Sequence, residues 1–544
     1  MSLCVKNGDT MMHQLSMFKQ CKKLLSLQEA SKWASHYLDR KVTVSNLSYL
    51  LQYGRIKKHG NSGNPLINID ELKNYYDSFV QKEKEWRKIL GDDLNWHLSF
   101  VEYKESERTK HVHRLHPYKG KFIPQLVEYF LDSHIDEFKK EVFFKEGDVV
   151  LDPFCGSGTT LIQANELGLH AIGIDISAFN VMISNVKIDK HNLIKLHKAI
   201  QRLTFELEQF QKKRNNTVFE EHLLNELSVF NKKYFPSSDY KRKVRQRLIN
   251  EKEYSREKEK IFLSIYWDLI KKYNIQIKQN KDKTFLDKWF LAPVRKEIDF
   301  LFEKIKETED ARIKKVLAII LSRTVRSCRA TTHADLATLK EPVTATYYCK
   351  KHGKICKPIF SIMGWWRRYS VDTLNRLWQF DKLRTNTMQI CLVGDSRTIN
   401  LIEELENKNN RLAEIVSKQG IAGIFSSPPY VGLINYHEQH AYAYEIFGFE
   451  RKDELEIGPL FKGQGKEARE SYVESIAKAL INCKDFLKKD YNVFLVANDR
   501  YNLYPRIAEL AGMKIVNQYK RPVLNRVEKD RSAYAEIIFH LKEK

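Results

Sequence analysis

The stretch Asp148-Val-Val-Leu-Asp-Pro-Phe-Cys-Gly-Ser-Gly-Thr-Thr160 decides the fold. Val149 to Leu151 form a short apolar run of the kind that becomes a buried strand. Asp152 closes the run, and Gly156 and Gly158 permit a tight turn into the next helix. Residues this small let backbone approach a bound ligand closely. About 17 residues past Gly158, a second apolar strand, Ala171-Ile-Gly-Ile174, ends in Asp175. An acidic side chain at that point can accept hydrogen bonds from both ribose hydroxyls of a nucleoside. Thr159 and Thr160 replace the continuation of a dinucleotide fingerprint, and the Gly-Lys-Ser/Thr of a phosphate-cradling loop is missing.

Outward from this stretch, β/α alternation resumes after a long gap. Ile390–Val393, Gly423–Ser426, Asn492–Ala497 and Ala535–His540 read as strands. Leu392-Val-Gly-Asp-Ser-Arg397 follows the first of these, and Asp395 sits where a carboxylate could meet the adenine amino group of the same ligand. Ile421-Ala-Gly-Ile-Phe-Ser-Ser-Pro-Pro-Tyr430 is a strand running into Ser427-Pro428-Pro429-Tyr430. Two consecutive prolines fix φ and remove two N–H donors, so the loop presents acceptors in a rigid arc. Acceptors are what an exocyclic amino group requires. Tyr430 adds an aromatic face for a planar base.

These residues resemble the amino-directed DNA methyltransferases that use S-adenosylmethionine. Asp152-Pro153-Phe154-Cys-Gly156-Ser-Gly158-Thr159-Thr160 looks like their cofactor loop, and Ser427–Tyr430 looks like their catalytic motif in the Ser form typical of cytosine-N4 enzymes. Adenine-N6 enzymes more often carry Asp or Asn first. His116-Pro-Tyr118-Lys-Gly-Lys121-Phe122-Ile-Pro124 resembles the segment that closes over the methionine end; Tyr491–Asn498 and Arg521–Leu541 look like later strands of the same domain. The resemblance covers about 95–190 and 386–544. It implies S-adenosylmethionine held by Tyr118, Lys121, Phe122, Asp152, Pro153, Phe154, Gly156, Gly158, Thr159, Asp175, Ile176, Asp395 and Ser426, with catalysis by Ser427, Pro428, Pro429 and Tyr430. The implied fold is a Rossmann-like domain with a seven-stranded mixed sheet. The implied reaction attacks the sulfonium methyl directly with the amine of a flipped base and requires no metal. Cytosine-C5 chemistry needs a Cys nucleophile, usually after Pro, and none of the eight Cys follows Pro.

The remaining segments read as apparatus around this domain. Ser26-Leu-Gln-Glu29 is a capping box for a helix over Gln28–Tyr37; a second helix covers Ser45–Gln52. A small hairpin with a turn at Asn61-Ser-Gly63 follows, and Asp70 caps a third helix to about Phe79. This order resembles an excisionase-like winged helix-turn-helix, with Ser45, Asn46, Lys57 and Lys58 toward DNA. A small helical domain that binds protein or nothing is the alternative. Residues 1–90 are thus read as that module, 91–190 as the cofactor half, 191–385 as a helical insertion for target recognition and 386–544 as the catalytic half. Arg326, Arg329, Lys340, Trp365, Trp366, Arg367 and Arg368 combine charge and aromatics suited to phosphate contact, though both Trp serve equally as core. In Lys241-Arg-Lys-Val-Arg-Gln-Arg247, phosphate contact and a solvated helix face weigh about equally.

Composition sets the outer bounds. The 544 residues are 42% hydrophobic and 30% charged, with 92 Lys+Arg against 69 Asp+Glu and a net charge of +23. This is a globular, multi-domain composition with a polyanionic partner. Double-stranded DNA is the expected partner rather than a membrane, and a cognate restriction endonuclease fits a restriction-modification setting. The N-terminal MSLCVKNGDTMMHQ lacks a secretory core, and few Cys make an intracellular, reducing setting the default; the methyltransferase resemblance implies a cytoplasmic, nucleoid-associated protein of prokaryotic type. His111, His113 and His116 alternate like a strand, and His437-Glu-Gln-His440 lacks the four-residue His spacing of zinc proteases. Cys349 and Cys356 are six residues apart, beyond zinc-ribbon spacing, with Cys328 upstream; no metal is expected. RNA methylation and a non-enzymatic regulator on the same fold are the competing readings.

Overall fold

The computed structural model describes residues 23–38, 42–52, 54–61, 64–91, 94–100, 103, 105–280, 283–333, 339–523 and 533–544. The expectations for the first 14 residues, for the turn at Ser62 and Gly63, and for 524–532 within the last strand segment lie outside them. The chain packs as two bodies. The first comprises the described residues of Met1–Glu85, Val218–Ile275 and Thr331–Pro358; the second comprises those of Trp86–Thr217, Gln276–Ala330 and Ile359–Lys544.

In the first body, the helix Leu27–Tyr37 starts with the expected capping box. Ser26 Oγ accepts from the Glu29 N–H at 3.2 Å, and the Glu29 carboxylate accepts from the Ser26 N–H at 2.8 Å. The helix Val44–Gln52 buries Leu47, Leu50 and Leu51. Strands Leu24–Ser26, Asn64–Asn68 and His59–Asn61 form an antiparallel sheet in that order. The third helix, Ile69–Leu90, runs past the expected end at Phe79, because neither Gly nor Pro interrupts it before Gly91. Its cap is Asn68, whose Oδ1 accepts from the N–H groups of Asp70 and Glu71; Asp70 occupies the first turn instead.

The stretch 191–385, expected as one inserted lobe, is divided between the bodies. The helices Glu251–Lys272 and most of Asn216–Tyr234 belong to the first body, with a hairpin of Tyr347–Cys349 and Lys354–Cys356. The helices Leu193–Lys212, Ala311–Ser327 and Met363–Asp381 belong to the second. The physical reason is burial: Val316 through Val325 are enclosed, and this helix packs on Ala178–Ile188 beside the central sheet. Trp366, fully buried with its Nε1–H donated to Thr204 Oγ1, is core.

The second body is organised on a sheet with seven strands among the described residues: β1 (Val149–Asp152), β2 (His170–Asp175), β3 (Gln389–Val393), β4 (Ile421–Ser426), β5 (Leu487–Ala497), β6 (Met513–Pro522) and β7 (Ala535–Glu543). The spatial order is β6-β7-β5-β4-β1-β2-β3, with β7 antiparallel to both neighbours and the rest parallel. Val149, Leu151, Ile172, Ile424, Val493 and Leu495 are all fully buried. Enclosure by helices explains why β1 and β4 read as continuous apolar runs rather than alternating ones. Strand order reverses at β1, which has β2 on one side and β4 on the other, so a crevice opens at the carboxyl ends of these strands. Among the described residues, no helix is long and apolar enough to cross a membrane.

Candidate cofactor and active site

Four loops leave the carboxyl ends of β1, β2, β3 and β4 and enclose one cleft. Tyr118, Lys121, Phe122, Asp152, Pro153, Phe154, Gly156, Thr159, Asp175, Ile176, Asp395, Ser427 and Pro429 line it, as expected from sequence. Gly158, Ser426, Pro428 and Tyr430 form no part of its wall. Gly158 instead starts the helix Thr159–Glu166 at φ 76°, and Ser426 and Pro428 are buried.

The β1 loop is held from below. At Gly156, φ is 52° and an added Cβ would lie 2.9 Å from the Tyr118 hydroxyl, so only glycine fits. Its N–H donates to Asp175 Oδ2 at 2.8 Å; Asp175 Oδ1 also accepts from the Ser177 N–H at 2.8 Å and from Asn180 Nδ2 at 3.1 Å. Asp175 therefore anchors the loop as well as facing the cleft. Burial pushes its carboxyl up to about 7 against these donors. Lys187, fully buried, donates to the Ser157 carbonyl at 2.5 Å. On its own helix this lysine resembles any surface cation, which is why sequence did not single it out.

Asp152 accepts from Ser426 Oγ at 2.5 Å and from the Phe154 N–H at 3.2 Å. Burial pushes its carboxyl up to about 6. Asp395 is engaged by Arg397, whose Nε lies 2.8 Å from Oδ1 and whose guanidinium reaches Oδ2 at 2.6 Å. Burial would raise the Asp395 carboxyl, but Arg397 outweighs it and holds the group below its ordinary value. Lys121 donates to the His113 carbonyl at 2.6 Å, and burial brings its ammonium down to about 8.

Ser427 Oγ donates to the Val496 carbonyl at 3.0 Å and is also within hydrogen-bonding reach of the Tyr430 hydroxyl. Tyr430 is half-buried, and its hydroxyl donates to Glu536 Oε1 at 3.3 Å; Arg521 binds the other oxygen of Glu536 at 2.7 Å. The Arg521–Glu536 pair from the later strands thus tethers Tyr430.

Several cleft residues carried no sequence signal for this role. Ser396, Tyr436, His437, Glu456 and Ile457 are among them. The His437 N–H donates to Glu456 Oε1 at 2.7 Å, and its Nδ1 contacts the Tyr444 hydroxyl. His437 was visible only as half of an unconvincing metal pair; it precedes a 3-10 turn rather than lying on a helix. His111 and His113 likewise fall in a 3-10 turn, not a strand, and His111 Nε2 meets Glu166 at 2.9 Å beside Lys110.

The residues expected to meet DNA differ in access. Ser45 and Lys57 are exposed, Lys58 is half-buried, and Asn46 Oδ1 accepts from the Thr43 N–H and hydroxyl as a helix cap. Arg326 is half-buried. Arg329 is 7% exposed, with Nε donated to the Arg326 carbonyl, so it is an internal group rather than a surface cation. Arg367 pairs with Glu208 at 2.5 Å, and the exposed Arg368 lies 5.2 Å over the Trp365 ring. In the basic run 241–247, Arg242 and Lys243 both pair with Asp239.

The sheet order and the loops gathered at its switch point define an α/β methyltransferase. A DNA methylase family model matches residues 2–186, and a methyltransferase-domain model matches 144–263. Type II methyltransferase M.MjaII from Methanocaldococcus jannaschii is 46% identical over 526 residues, covering 96% of this chain and 97% of that protein. Type II methyltransferase M.BsoBI from Geobacillus stearothermophilus is 32% identical over 123 residues, 22% of each chain. Type II methyltransferase M.MvaI from Kocuria varians is 33% identical over 116 residues, 21% of this chain and 24% of that one. The chain belongs to the type II DNA methyltransferases, within the amino-directed DNA methylase family.

Membership implies S-adenosylmethionine as methyl donor. The cleft has the chemistry to take it. Ser157 Oγ, Asn180 Oδ1 and Glu456 Oε2 are buried at its wall without a protein partner among the described residues. Carboxylates of Asp175 and Asp395 and the rings of Tyr118, Phe154 and Tyr436 supply acceptors and apolar faces for a nucleoside.

Proposed function

We propose that this enzyme methylates the exocyclic N4 of a cytosine flipped out of double-stranded DNA, as the modifying arm of a restriction-modification system with a cognate endonuclease. The observation that carries the reading is Ser427: its hydroxyl proton is committed to the Val496 carbonyl, so its oxygen accepts from the incoming amine. S-adenosylmethionine would be held by Asp175, Asp395 and the Gly156 loop and would supply an electrophilic methyl group; the sulfur–methyl bond breaks as the nitrogen–methyl bond forms, S-adenosylhomocysteine leaves, and the methylated amine releases one proton to water. The amine lone pair is delocalised into the base and is a poor nucleophile. Ser427 Oγ and the Pro428 carbonyl, accepting its two N–H bonds, favour a tetrahedral nitrogen with an available lone pair. The rigid Pro428-Pro429 arc fixes that geometry before the base arrives. Tyr430, tethered through Glu536, stacks on the extruded ring, which a duplex would otherwise conceal.

Sequence reading by Lys57, Lys58, Arg367 and Arg368 belongs to the same proposal. Nucleoside mass spectrometry of DNA from a host expressing the enzyme tests it. N4-methylcytosine is expected. N6-methyladenine would move the target to adenine, and no modified base in DNA would overturn the reading.

A further inference from the structure

A second constellation lies in the first body, apart from the methyl-transfer chemistry. His333, Cys349, His352 and Cys356 bring one nitrogen or sulfur each to within 4.8 Å of one another. The hairpin dictates the arrangement. Its register pairs Tyr347 with Cys356 and Cys349 with Lys354, so both cysteines project from one face. The N–H groups of His352 and Gly353 both donate to the Cys349 carbonyl, at 3.0 and 2.7 Å, and Gly353 turns at φ 63°. This tight turn carries the His352 ring back over the strand ends. Cys356 Sγ lies 3.5 Å from His352 Nδ1, and Cys349 Sγ lies 3.7 Å from His333 Nδ1. Bonds of about 2.3 Å to sulfur and about 2.0 Å to nitrogen at tetrahedral angles require a sulfur–nitrogen edge of about 3.5 Å.

We infer that these four side chains form a structural zinc site. Two thiols and two imidazoles are a donor set that selects tetrahedral zinc. Four protein ligands leave no open position, so the site is structural rather than catalytic. The surroundings require such a staple. The hairpin strands have three residues each, and the local apolar cluster holds little beyond Tyr347, Cys349, Cys356 and Val343. A hairpin this small is marginal on its own. The Tyr347 hydroxyl accepts from the His333 backbone N–H at 3.2 Å, which ties His333 to the hairpin. Cysteine spacing alone concealed the site, because the intervening ligand is a histidine: the pattern is Cys349-x2-His352-x3-Cys356, with His333 from upstream. Cys328 is not part of the group.

Elemental analysis of the purified full-length enzyme tests the inference. About one zinc per chain is expected, falling to near zero in Cys349→Ser and in Cys356→Ser. Cobalt substitution of the wild type should give intense visible ligand-field bands and thiolate charge transfer in the near ultraviolet. This keeps the test decisive if the variants fail to fold. A wild-type chain that binds neither zinc nor cobalt stoichiometrically would overturn the assignment. So would a Cys349–Cys356 disulfide found by alkylation without reduction, or zinc retained in full by both variants.

Discussion

Ser426 Oγ donates to Asp152 Oδ1 at 2.5 Å, joining the carboxyl ends of β4 and β1, which are 274 residues apart in sequence. Each residue immediately precedes a loop at the cleft: Asp152 leads into Pro153–Gly158, and Ser426 leads into Ser427-Pro428-Pro429-Tyr430. One buried hydrogen bond thereby ties together the roots of the two loops to which we assign cofactor binding and catalysis. Ser426→Ala leaves a buried carboxyl short of a donor, at a cost of about 1–3 kcal/mol. Because Asp152→Asn disturbs the same contact, the two changes should be non-additive in a urea-unfolding double-mutant cycle. Additivity to within about 0.3 kcal/mol would show that the bond couples nothing.

Ser427→Ala removes an acceptor that acts on the amine as it reacts. The expected loss is about 10²–10³ in kcat, with cofactor affinity unchanged by calorimetry. Tyr430→Ala loses base stacking of about 1–3 kcal/mol and should weaken binding of DNA carrying an abasic target less than binding of intact duplex. Wild-type turnover in Ser427→Ala would remove that residue from the mechanism.

Asp175 gives a pH signature. Burial pushes its folded carboxyl up to about 7, above the unfolded value, so the folded state holds the proton more tightly. The associated stability is complete below the unfolded value and is lost as pH rises through about 7. In Asp175→Asn this loss is absent, so the ligand-free variant should gain Tm relative to wild type between about pH 5 and pH 8. Thermal unfolding across that interval measures the difference, and a pH-independent gap would contradict it. The same variant should bind S-adenosylmethionine about 10-fold or more weakly, since a charged acceptor is lost.

The net charge of +23 predicts that DNA affinity falls steeply with salt. A log–log plot of affinity against salt should be linear with a slope of several units. Lys57→Ala and Arg368→Ala should each reduce it by about one. A flat plot would assign the surplus charge to solvation alone.

Sequence alone determined the strands of the central sheet and most of the residues that gather at its cleft. Strand positions, the Pro153–Gly158 turn, Asp175, Asp395 and Ser427-Pro428-Pro429-Tyr430 were legible because each depends on a local rule: apolar runs of strand length, glycine where backbone turns left-handed, proline where donors must be absent. Tertiary structure decided what no local rule encodes. Glu456 reaches the cleft, and Lys187 the underside of the β1 loop, only because other segments fold against them, and the Ser426–Asp152 bond exists only because β4 lies beside β1. The division of 191–385 between two bodies follows from which helix faces find apolar partners, and single-segment periodicity does not name the partner. Arg329, basic in sequence, is enclosed, and His333 meets the Cys349–Cys356 hairpin across a gap no spacing rule would bridge. Local chemistry is written along the chain, whereas burial and the meeting of remote side chains are properties of the packed whole.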